Sequence, residues 1–109
     1  DRIVALGRLL DWYGAFLTPR QASLARQYAY EDCSLAEIAE REGVSRQAVR
    51  DAIARAETEL AEMERRLRLI ERTTRTREIV TELLNTAEDP SVRERLTELS
   101  GIWEDDDGV

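Results

Sequence analysis

The chain has no histidine and no lysine, and only one cysteine and two prolines, among 109 residues. Without histidine there is no imidazole to serve as a base near neutrality, to ligate a metal or to act as a pH switch. The lone Cys33 cannot form an internal disulfide, and one thiol does not supply the several ligands that a metal site requires. Nothing therefore argues for secretion, and a reducing cytoplasm is the expected compartment. There is no glycine-rich phosphate loop and no recognisable pair of catalytic carboxylates, so neither an enzyme nor a cofactor is expected. No apolar run approaches the length of a membrane span, and no signal-peptide pattern is present. The first residue is Asp1 rather than Met, which leaves open a segment before it.

What is present is charge on helix-forming residues. Acids outnumber bases 23 to 16, a net charge of −7, and every base is arginine. A charged fraction of 36% with runs of Ala, Leu, Glu and Arg predicts an all-α soluble protein. The length suits one domain, or one small domain with an appendage.

Ile3, Val4, Leu6, Leu9, Leu10, Tyr13 and Leu17 recur at helical spacing and predict a first amphipathic helix. Within it Trp12 and Phe16 share a face, with Phe16 expected in the core. Thr18-Pro19-Arg20-Gln21 reads as a capping box with proline in the first turn, opening a second helix with Leu24, Ala25, Tyr28 and Ala29 inward. Ser34-Leu35-Ala36-Glu37 is a second capping box, and Gly43 ends the short third helix in a left-handed conformation. Ser45 caps a fourth. Two helices joined by so short a glycine turn cross steeply, which is helix-turn-helix geometry. Leu35, Ile38, Ala39, Val44, Val49 and Ile53 form its inward set.

Val49, Ile53, Ala56, Leu60, Met63, Leu67 and Ile70 continue as a heptad seam with no Gly or Pro between Arg46 and Arg72. One helix about 40 Å long is expected there at 1.5 Å per residue. Its seam exceeds what a body of this size covers, which predicts a homodimer with Leu60, Met63 and Leu67 at or near the interface. Thr73, Thr74 and Thr76 mark an expected bend. Ile79, Val80, Leu83 and Leu84 predict a further helix, and Asp89-Pro90 starts a last one with Val92, Leu96, Leu99 and Trp103 inward. The expected organisation is a helix-turn-helix domain over 1–72, a C-terminal helical segment over 73–103 and an acidic disordered tail over 104–109.

Two sets of residues are candidates for nucleic-acid contact, and no metal site is expected. Ser45, Arg46, Gln47 and Arg50 lie on the outward face of the fourth helix's first turns. Arg and Gln can read guanine and adenine edges, and Ser45 with the helix N-terminus can hold a phosphate. Asp51 on the same face opposes a phosphate backbone, and Arg41, Arg46, Arg50 and Arg55 are balanced over residues 34–55 by Glu37, Glu40, Glu42 and Asp51. The second set is the basic run of residues 65–77, where Arg65, Arg66, Arg68, Arg72, Arg75 and Arg77 face a single Glu71. It reads either as a solvated face paired with Glu62, Glu64 and Glu78 or as a phosphate-facing patch suited to a folded RNA. On local charge alone, nucleic-acid contact is expected to depend more on the second set than on the first.

DWYGAFLTPRQ, residues 11–21, followed by YEDCSLAEIAEREGVSRQAVRDAIAR, residues 30–55, resembles the YlxM family of small bacterial helix-turn-helix proteins. Residues 18–60 also resemble region 4 of sigma-70-type sigma factors. The resemblance implies an all-helical fold of the sigma region 4 type, with a long C-terminal helix and additional helices, and without enzymatic activity. It further implies an accessory role in the signal recognition particle pathway, touching that particle's RNA or GTPase. The alternative reading is a DNA-binding transcriptional regulator, with Ser45, Arg46, Gln47 and Arg50 at the sigma positions that face DNA.

Overall fold

A computed structural model describes residues 1–104, with side chains to Trp103. It contains α1 (Arg2–Tyr13), a 3-10 turn (Gly14–Phe16), α2 (Pro19–Ala29), α3 (Leu35–Glu42), α4 (Arg46–Leu67), α5 (Leu69–Thr86) and α6 (Pro90–Glu104), and no strand among the described residues. The acidic run 104–109, expected to be a disordered tail, lies outside the described residues apart from the backbone of Glu104, which closes α6.

Local chemistry sets the helix starts. Thr18 Oγ1 accepts the Gln21 N–H at 3.2 Å while Gln21 Oε1 accepts the Thr18 N–H at 3.1 Å. Ser34 and Glu37 make the same reciprocal pair at 3.1 and 3.0 Å. Each box satisfies two backbone N–H groups that a helix start otherwise leaves unpaired. Asp1 caps α1 by accepting the Ile3 N–H at 2.7 Å.

The chain forms two compact units, Asp1–Leu69 and the residues from Ile70 onward. In the first, α1, α2, α3 and α4 surround a core of Leu6, Leu10, Tyr13, Leu24, Ile38, Val49, Ile53 and Leu60. Polar bonds tie these helices together. Arg2 Nη2 pairs with Glu57 Oε1 at 2.6 Å and its Nε donates to Oε2 at 2.8 Å, joining α1 to α4. Gln27 is the one buried polar residue among those described. It accepts from Arg41 at 3.0 Å and donates to Glu42 at 3.4 Å, joining α2 to α3. Tyr30 OH donates to Asp11, and burial together with that carboxylate pushes its pKa up to about 12.

Several expectations are corrected. Phe16 is 69% exposed rather than in the core. The 3-10 turn after Tyr13 advances about 120° per residue instead of 100°, so the α-helical phase that put Phe16 inward does not reach it. Val4 is likewise exposed, and Leu35 is half-buried. The single helix expected from Arg46 to Arg72 is two helices: Arg68 takes a left-handed conformation, φ 55°, and closes α4, while α5 begins at Leu69. No bend interrupts the chain at Thr73–Thr76, which lie within the continuous helix α5.

In the second unit α5 and α6 run antiparallel. Arg77 lies over the Trp103 ring at 5.6 Å, and Arg93 near the start of α6 donates to the Ala87 carbonyl at 3.1 Å and to that of Leu84. Of the set expected inward on α6, Leu96 and Trp103 are half-buried, whereas Val92 and Leu99 are exposed.

Candidate nucleic-acid interface

The turn between α3 and α4 is set by Gly43, whose φ of 68° is open to glycine without a Cβ clash. Its N–H bonds the Ala39 and Glu40 carbonyls, and the Val44 N–H bonds Ala39 O at 3.0 Å. Ser45 follows in an extended conformation and its Oγ accepts the Ala48 N–H at 3.0 Å. Val49 and Ile53 are buried on one side of α4. That fixes the helix rotation, and Ser45, Arg46, Gln47, Arg50 and Asp51 are all exposed.

These side chains are organised. Arg50 Nη1 donates to Gln47 Oε1 at 3.0 Å, and Gln47 Nε2 donates to Asp51 Oδ1 at 2.7 Å. Asp51, which by charge alone opposes a phosphate backbone, is thus engaged with its neighbour and orients the Gln47 amide. The Arg46 side chain, one turn nearer the N-terminus, makes no hydrogen bond or ion pair among the described residues. As the cap, Ser45 Oγ accepts the Ala48 N–H and keeps its own O–H, so that hydroxyl and the first-turn backbone amides are the donors left at this end.

The arginine run 65–77 is divided between the two units. In the first, Glu62 holds Arg65 at 2.5 Å and Arg66 at 2.8 Å, which keeps the Glu62 pKa low, at about 2. Arg68 closes α4. In the second unit Arg75 pairs with Glu78 at 3.3 Å, Arg77 stacks on Trp103, and Arg72 is exposed. The pairs at Glu62 and Glu78 match the solvated-face reading of this run, and the sequence signal for them is the three- and four-residue spacing.

Of the residues expected at a dimer interface, Leu60 is completely buried within the chain, a correction that follows from α4 packing on α1 and α2. Met63 is half-buried, and Leu67, at 47%, is exposed. No cluster of three or more potential metal ligands occurs among the described residues, and no described helix is long and apolar enough to cross a membrane.

The profile of UPF0122, the YlxM / p13-like helix-turn-helix family, matches residues 1–99. The chain belongs to this family. It is similar to the UPF0122 protein of Halalkalibacterium halodurans, 36% identical over 91% of both chains, and to that of Shouchella clausii, 41% identical over 76% of both. Identity rises to 58% with the UPF0122 protein of Symbiobacterium thermophilum, over 54% of this chain and 55% of that one. The chain thus spans about half the length of this last relative and most of the other two. Membership agrees with the all-α helix-turn-helix architecture, in which α3 and α4 are the paired helices.

Proposed function

We propose that this protein is a non-enzymatic, cytoplasmic regulator that binds nucleic acid through the first two turns of α4. The observation that carries the reading is the presentation of Arg46, Gln47 and Arg50 on one exposed face of a helix whose rotation is fixed by Val49 and Ile53. In helix-turn-helix proteins the N-terminal residues of the second helix are those that reach base edges in a major groove. Arginine and glutamine there match guanine and adenine. Duplex DNA is therefore the ligand this geometry suits best. The arginines of the 65–77 run support it less, because several are held by Glu62, Glu78 and Trp103.

A second reading places the chain in the signal recognition particle pathway, in contact with that particle's RNA or GTPase. The segment DWYGAFLTPRQ, through its resemblance to YlxM proteins, supports this setting. Crosslinking in the native cell, with bound DNA and RNA sequenced together, separates the two. Enrichment of discrete promoters supports the first reading, and enrichment of the particle's RNA supports the second. Recovery of neither nucleic acid above background removes nucleic-acid binding altogether.

A further inference from the structure

Among the described residues, α6 keeps several apolar side chains exposed along one side. No residue of α6 is fully buried among those described, although the helix runs for 15 residues. An isolated helix of that length is marginal in water, so packing must hold it. α5 meets it through Arg77, which lies over the Trp103 ring, and Leu96 is half-buried. Val92, Leu99 and Ile102 remain 46%, 38% and 58% exposed and, with Ser91, Arg95 and Glu98, line a shallow groove.

We infer that this groove is a homodimerisation surface on which α6 of a second copy docks antiparallel. The patch is self-complementary in charge and shape. It carries one base and one acid, Arg95 and Glu98, which already reach each other at 2.7 Å and so point to the same side. An antiparallel copy centred between Leu96 and Thr97 sets each Arg95 against a second Glu98, so both ion pairs are reciprocal. The same register brings Val92 to within one residue of facing Ile102 at both ends, with Leu99 of each copy between them. A parallel copy would instead place Arg95 on Arg95 and Glu98 on Glu98, which is repulsive. A two-fold contact of this kind uses the same patch on both chains, as closed dimers do. The inference does not depend on the nucleic-acid reading.

Sedimentation equilibrium of the whole chain, from about 1 to 200 μM, tests it, since a contact of one helix pair should associate in the micromolar range. The wild type is expected to be a reversible dimer, and Leu99→Glu with Ile102→Glu a monomer. Arg95→Glu and Glu98→Arg, each alone, should weaken self-association about tenfold by bringing like charges together. Mixed in equal amounts, these two variants should associate again, because every contact between them pairs opposite signs. Both sites are well exposed, so neither change disturbs the first unit, and circular dichroism checks this. A wild type that stays monomeric across the range overturns the inference. So does a dimer indifferent to Leu99→Glu with Ile102→Glu, or a mixture that fails to associate while the wild type does.

Discussion

The phenol of Tyr13 accepts the backbone N–H of Leu69 at 3.2 Å and donates its own proton to Glu64 Oε1 at 2.5 Å. The ring is fully buried, so the end of α1 is fastened to the point where α4 stops and the chain turns through Arg68. Tyr13→Phe keeps the packing and removes the acceptor for the Leu69 N–H. It is expected to lower stability by about 1–3 kcal/mol, the range for stranding a buried hydrogen-bonding group. Urea unfolding measures it, and a change below about 0.5 kcal/mol, within the scatter of surface substitutions, would show that the bond contributes nothing.

The capping boxes at Thr18 and Ser34 and the left-handed Gly43 were legible because each is written within four residues, and so was the helix-turn-helix. Phe16 was not, since a 3-10 turn carries no marker in this sequence and shifts the phase of everything after it. The break at Arg68 was hidden for a related reason. Left-handed helix ends usually fall on glycine or asparagine, and an arginine inside an uninterrupted apolar seam gives no signal of one. At the candidate site the exposure of Arg46, Gln47 and Arg50 followed from the spacing of Val49 and Ile53. The bond from Gln47 to Asp51 did not, because charge counting treats Asp51 only as a repulsive group.

Core and cap should separate cleanly in stability. Ile38 is completely buried under the helix-turn-helix, and Ile38→Ala is expected to cost roughly 2–5 kcal/mol. Thr18 is exposed and acts only through its cap, so Thr18→Ala should cost nearer ~1 kcal/mol. Thermal melts that reverse this order would disprove the helix assignment.

Acid should loosen the end of α4. The hydrogen bonds from Arg65 and Arg66 hold the Glu62 pKa at about 2, below its ordinary 4.5. A depressed carboxylate contributes stability that is present above the ordinary value and lost as pH falls toward the folded one. Melting temperature should therefore drop between roughly pH 5 and 2, and drop less in Glu62→Gln. The pairs are solvent-exposed, so high salt should shrink the difference between the two proteins. Identical acid profiles at low salt would mean that the pairs do not form in solution.

Salt dependence tests which arginines meet phosphate. Removing one arginine–phosphate pair lowers the slope of log affinity against log salt by about one. For duplex DNA, Arg46→Ala with Arg50→Ala should flatten the slope by up to about two, while Arg66→Ala with Arg75→Ala leaves it nearly unchanged. The opposite ranking in fluorescence anisotropy would transfer the phosphate contacts to the 65–77 run.

The hydrogen bonds at Gln47 bear on how such a face would choose among sequences. Reading adenine uses the glutamine carbonyl and amide together, yet the free chain already commits the carbonyl to Arg50 and one amide N–H to Asp51. A matching base must displace both and replaces them bond for bond, so it adds little net attraction. A mismatched base displaces them and returns fewer, leaving polar groups desolvated and unanswered. On the nucleic-acid reading proposed above, such a face would discriminate more than hold, and grip would fall to Arg46 and the open amides of the first turn.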